Sequence, residues 1–124
     1  MLFAVTDVSE TLVTGETAIG QIKGVWKYRY APEIGRRYQI ELDVPQIDRK
    51  QISVMQTGIP EMRLSGGTVF FTAQIEDIDE VYFLRFSPDG LSMLEILNDD
   101  GTIPAGAVIS FSCPDSDVGI YPYL

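Results

Sequence analysis

The chain has 124 residues, 45% of them hydrophobic and 22% charged, which suits one domain able to bury a core without covalent staples. Nine Lys and Arg against 18 Asp and Glu leave a net charge of −9, and there is no histidine. The missing imidazole excludes Ser-His-Asp and Cys-His nucleophiles and His-ligated metals. The single cysteine, Cys113, excludes an intramolecular disulfide and a thiolate zinc cage.

In chain order, Leu2–Val8 and Thr11–Thr14 read as strands, with Gly15 and Gly20 as breaks. Asp7 interrupts the N-terminal apolar run before a signal core could form, and no apolar stretch approaches the ~20 residues that cross a bilayer. A cytoplasmic location is the expectation. In Ile22–Tyr30, Ile22, Gly24, Trp26, Tyr28 and Tyr30 share one face, while Lys23, Val25, Lys27 and Arg29 share the other; such alternation marks a half-buried strand. Arg37–Val44 repeats it, with Tyr38, Ile40, Leu42 and Val44 inward and Arg37, Gln39, Glu41 and Asp43 outward. Ala31–Gly35, carrying Pro32 and Gly35, joins the two as a long hairpin in which cations face carboxylates.

Further along, Asp43–Gln51 accommodates one helical turn, with Asp43 as its cap and Pro45 in its first turn. Thr68–Glu76 places Val69, Phe71, Ala73 and Ile75 on one face. Val81–Phe86 and Leu91–Leu97 flank Ser87-Pro88-Asp89-Gly90, whose order suits a tight turn with a left-handed glycine. This hairpin is apolar on both faces, which predicts a central position covered on two sides. Asn98–Gly101 is a second turn, and Ala107–Cys113 is a strand that Pro114 ends. The pattern predicts a single all-β domain over residues 1–124, an antiparallel barrel or sandwich of about seven to nine short strands with at most one short helical turn. Trp26, Tyr38, Ile40, Leu42, Phe71, Phe83 and Phe111 are its expected buried residues.

Charge divides the chain. Residues 1–63 hold eight basic and eight acidic side chains, whereas residues 64–124 hold Arg85 and ten acidic ones. Acidic surfaces attract basic partners. The candidate contact residues are Glu76, Asp77, Asp79 and Glu80 in one turn, Asp99 and Asp100 in the next, and Asp115, Asp117, Tyr121 and Tyr123 near the end. Tyrosine supplies stiff contact area and carboxylates supply steering. The 76–80 run lacks the glycine and the spaced downstream glutamate of a calcium loop, so no metal or other cofactor is expected. No spacing singles out a carboxylate pair for catalysis.

Lys23, Trp26, Lys27, Tyr28, Arg29, Tyr30, Arg36 and Arg37 have the composition of a single-strand stacking platform. Strict alternation would send the rings into the core and the cations to solvent, so no nucleic-acid partner is expected, and no membrane one. The sequence therefore reads as a non-catalytic binding module, inhibitor- or immunity-like or an adaptor, that recognises a basic protein through its acidic C-terminal half. A small-ligand barrel and an assembly subunit are the alternatives.

Overall fold

The computed structural model describes residues 1–124. Its strands are β1 (Leu2–Ser9), β2 (Leu12–Thr17), β3 (Gly20–Trp26), β4 (Arg37–Asp43), β5 (Ile47–Asp48), β6 (Ser53–Met55), β7 (Glu61–Ser65), β8 (Thr68–Ile78), β9 (Tyr82–Ser87), β10 (Gly90–Leu94), β11 (Ile96–Leu97), β12 (Val108–Pro114) and β13 (Gly119–Pro122). Five of them close a barrel in the order β1-β2-β3-β13-β4 and back to β1. Every neighbour is antiparallel except β3 and β13, which run parallel. Closure removes the unpaired edges that an open sheet of this size would expose. β1 pairs with β4 over Leu2–Ala4 and with β2 over Ala4–Ser9, the second ladder carrying a bulge between Val5 and Asp7.

Residues 44–118 lie between β4 and β13 in the chain and form the rest of the main sheet together with a small parallel pair, β5 and β11. There β8 is the organising strand. Its first half pairs with β7 and its second half with β9, β12 lies along the other edge, and β10 ends the sheet beyond β9. The bridge to the barrel is the parallel pairing of Gly20 with Met62. Gly20 has φ 137°, and a Cβ there would lie 1.8 Å from the Met62 carbonyl oxygen, so only glycine lets the two backbones meet. Barrel and insertion share one core of 26 buried residues, including Phe3, Ile22 and Ile120 from the barrel and Phe71, Leu84 and Ile109 from the insertion. No helix is long and apolar enough to cross a membrane.

The all-β architecture follows the sequence reading, as do the inward residues Tyr38, Ile40 and Leu42 of β4 and Val69, Phe71, Ala73 and Ile75 of β8. Several expectations are corrected. There are thirteen strands, because short two- and three-residue pairings add to the longer ones. The β3–β4 hairpin does not form: β13 lies between the two strands, so the expected cross-strand charge pairs are absent. A local turn signal cannot reveal that a strand from the far end of the chain takes the place beside β4.

The Val81–Leu97 hairpin is not central, since β10 ends the sheet, and its apolar outward residues stay partly exposed. In β9 the buried parity belongs to Tyr82, Leu84 and Phe86, which leaves Phe83 half-buried, and Trp26 is half-buried too. Gly90 does not take the positive φ expected of the turn; a Cβ there would press on the movable ends of Ser87 and Met1, Oγ at 2.7 Å and Cε at 2.8 Å. The expected helical turn shrinks to a 3-10 turn at Arg49–Gln51 capped by the Asp48 side chain, and a second one occupies Asp115–Asp117.

Candidate functional site

The ten predicted contact residues do not form one surface. β12 runs along β8 with Pro114 opposite Thr68 and Val108 opposite Gln74. Asp115 and Asp117 therefore follow the Thr68 end of β8, while Asp77, Asp79 and Glu80 cluster at the Ile78 end. The eleven residues of β8 separate these ends by roughly 33 Å at ~3.3 Å per residue.

Many of these side chains also have local partners. Glu76 takes a two-pronged ion pair from Arg85 at 2.6 and 2.7 Å. Asp77 accepts the Ile78 N–H, and the Asp79 N–H donates to the Val81 carbonyl. Asp115 pairs with Lys23 at 3.8 Å. Asp100 accepts from Arg49 at 3.2 Å and from the Thr102 N–H and hydroxyl; Thr102, then Arg49, hold its carboxyl below the usual range. Asp99 accepts the hydroxyl of buried Tyr82. Burial, reinforced by the Asp99 hydrogen bond and charge, pushes that hydroxyl up to about 12. Burial also pushes the Cys113 thiol up to about 12, with Asp117 and Asp115 adding to it, which leaves too little thiolate for nucleophilic work at neutral pH. No three of the Asp, Glu or Cys side chains converge as a metal cage would require.

Tyr121 lines a cleft, and Tyr123 reaches Glu41 at its rim. The seam between β4 and β10 holds a cleft of about 480 Å³ lined by Glu41, Leu42, Asp43 and Tyr121 on the barrel side and by Phe83, Leu91, Ser92 and Met93 on the hairpin side. Strand parity builds it. Because Ile40 and Leu42 enter the core, Glu41 and Asp43 must face out, and register sets Tyr121 beside Glu41. In β10 Ser92 and Leu94 turn inward, so Leu91 and Met93 turn outward. Ser92 Oγ donates to the Leu42 carbonyl at 2.8 Å and stitches the two strands together beneath the cleft.

The walls are apolar and uncovered, with Leu91 41%, Met93 58% and Tyr121 42% exposed. A smaller hollow of about 190 Å³ extends the cleft past Asp43 and Met93 to Gln46, Val81 and Glu95. Glu41, Asp43 and Glu95 have no cation partner. Glu41 accepts the Tyr123 hydroxyl at 3.1 Å, which raises that hydroxyl above its ordinary value, and Glu95 accepts from Gln46. The sequence signal for this cleft was the two-faced apolarity of Leu91–Leu97, which the open position of β10 converts from a central strand into an exposed wall.

The basic and aromatic segment also differs from expectation. Residues 27–36 leave the strand, so Tyr28 and Tyr30 are 39% and 63% exposed rather than in the core. Trp26, Tyr28, Tyr30, Arg36 and Tyr38 line a crevice of about 230 Å³. Comparison with protein-family models, curated proteins and solved structures finds no match to this chain.

Proposed function

We propose that this chain is a non-catalytic protein-binding module whose β4–β10 cleft receives a basic, partly apolar segment of a partner protein. One observation carries the reading: exposed apolar walls, Leu91, Met93 and Tyr121, stand directly beside the carboxylates Glu41 and Asp43, which make no ion pair. Covering apolar surface contributes roughly 25 cal/mol per Å², and unpaired rim carboxylates speed the encounter with a cationic partner. Methionine suits such a wall because its unbranched thioether adapts to the shape it meets. The acidic turn at 76–80 adds a long-range field, while contact belongs to the cleft.

The test combines capture from a lysate with kinetics on the purified captured protein. E41K and D43K together should slow association sharply, and M93A should speed dissociation. Reversing Glu76, Asp77, Asp79 and Glu80 to Lys, in the turn that leads into the β9 side of the cleft, should slow association as well. Binding should weaken clearly with salt, as the Debye length falls from roughly 30 Å at 0.01 M to about 3 Å at 1 M. Salt-independent binding, or association unchanged by the joint reversal of Glu41 and Asp43, would remove the cleft from the account.

A further inference from the structure

A second site follows from the basic end of the barrel. β3 ends at Trp26, and the loop that follows it, carrying Pro32 and Gly35 with φ 90°, is tied down. The Gly35 N–H donates to the Val5 carbonyl at 2.8 Å, the Val5 N–H to the Arg36 carbonyl at 3.0 Å, and Trp26 Nε1 to the Tyr30 carbonyl at 2.8 Å. The Tyr38 hydroxyl accepts the Glu33 N–H at 3.0 Å. A loop held by these bonds presents its rings in fixed places, which lowers the ordering cost of binding.

The rings and cations interleave there. Trp26 meets Tyr38 edge-on with centroids 5.1 Å apart, and Tyr28 lies 5.7 Å from Tyr30. The guanidinium of Arg29 sits 5.0 Å from the Tyr30 ring centre and that of Arg36 4.9 Å from the Tyr38 ring centre. Lys27, Arg29, Arg36 and Arg37 make no ion pair. Arg29 and Arg36 beside the exposed rings, against the one carboxylate side chain of Glu33, form a local positive end in a protein of net charge −9. Rings offer stacking faces to a planar base, and guanidinium groups offer paired N–H donors to phosphate. Glu33, the one carboxylate side chain lining the crevice, can accept from an exocyclic amine.

We propose that this crevice binds the base and phosphate of a nucleotide, either free or within a short single strand, by stacking on Tyr28 or Tyr30 and pairing with Arg29 and Arg36. The overall negative charge opposes a long polyanion lying across the molecule, which favours a ligand that engages this end alone.

Trp26, the only tryptophan, lines the crevice and reports on it. Its emission is followed while the full chain is titrated with a nucleoside monophosphate, the matching nucleoside, a short single-stranded oligonucleotide, and heparin as a polyanion without bases. The nucleotide should quench saturably, and the nucleoside should bind much more weakly. Y30A should weaken nucleotide binding roughly tenfold. R36Q should erase much of the preference for nucleotide over nucleoside and lower the salt slope by about one. K50Q, at an unpaired lysine elsewhere, should leave binding unchanged. Oligonucleotide binding no tighter than the mononucleotide assigns the site to a free nucleotide, and tighter binding assigns it to a strand. If Y30A lowers the melting temperature, R36Q carries the test. The proposal is overturned if no probe changes Trp26 emission, if nucleoside and nucleotide bind equally, or if heparin binds as well as the nucleotide and Y30A leaves both unaffected.

Discussion

The barrel and the insertion differ in what their charges do. The insertion carries most of the acidic excess, yet all four ion pairs of the molecule use its carboxylates, Glu76, Asp89, Asp100 and Asp115. Of its turn carboxylates without an ion pair, Asp77 lies opposite Phe83 of the cleft wall in the β8–β9 ladder. The first half, with balanced charge, holds the side chains that remain uncompensated beside exposed apolar groups: Glu41 and Asp43 beside Tyr121, and Arg29 and Arg36 beside Tyr30 and Tyr38. Net charge along the chain is thus a poor guide to where free charge meets uncovered apolar surface, which depends on strand parity and on which strands meet.

The largest test of this contrast asks whether barrel and insertion are separate at all. F71A removes a ring that is 1% exposed and packs on Phe86 and Phe111, and should cost about 3–5 kcal/mol. Because one core spans both regions, Trp26 in the barrel should lose its native emission in the same thermal transition that circular dichroism reports for the sheet. Two separated transitions would show two independent units. G20A comes next. It forces a side chain onto a backbone with φ 137° and against the Met62 carbonyl, and should cost about 1–3 kcal/mol in backbone strain alone. Hydrogen exchange should then rise first along β7, where the insertion leaves the barrel.

A smaller effect is expected at high pH. The Tyr82 hydroxyl has its folded pKa raised from 10.0 to about 12, so its protonated form is favoured in the native state. The resulting stability is fully present below the unfolded value of about 10 and is lost as pH rises toward the folded value. Y82F should flatten this loss between those two values, at a cost of about 1 kcal/mol at neutral pH for the hydrogen bond to Asp99. Buried Cys113, also raised to about 12, should resist a thiol reagent at pH 8 until the chain is unfolded. Rapid labelling of the native protein would contradict its burial. The smallest change belongs to E76Q, which removes an exposed pairing with Arg85 and should cost no more than about 1 kcal/mol. A larger loss would mean that the insertion's surface pairs hold its hairpin in place.

Local pattern was enough for the class of fold and most of the core. Alternation in Arg37–Val44 and Thr68–Glu76 reads directly as strands with one buried face, since successive side chains must point to opposite sides. It was not enough for neighbours. That β13 lies beside both β3 and β4 follows from a contact between residues far apart in the chain, and no local signal in Ala31–Gly35 reports it. The same gap hid both the cleft and the crevice. Leu91 and Met93 are apolar whether β10 is central or terminal, and only the sheet order leaves them facing solvent across from Glu41 and Asp43. The rings of Tyr28 and Tyr30 would be core in a continued strand, but the chain turns away after Trp26 because the adjoining loop bonds back to Val5 and Tyr38. Side-chain periodicity is a property of the local backbone, whereas exposure depends on what packs against it, and here that partner comes from the opposite end of the sequence.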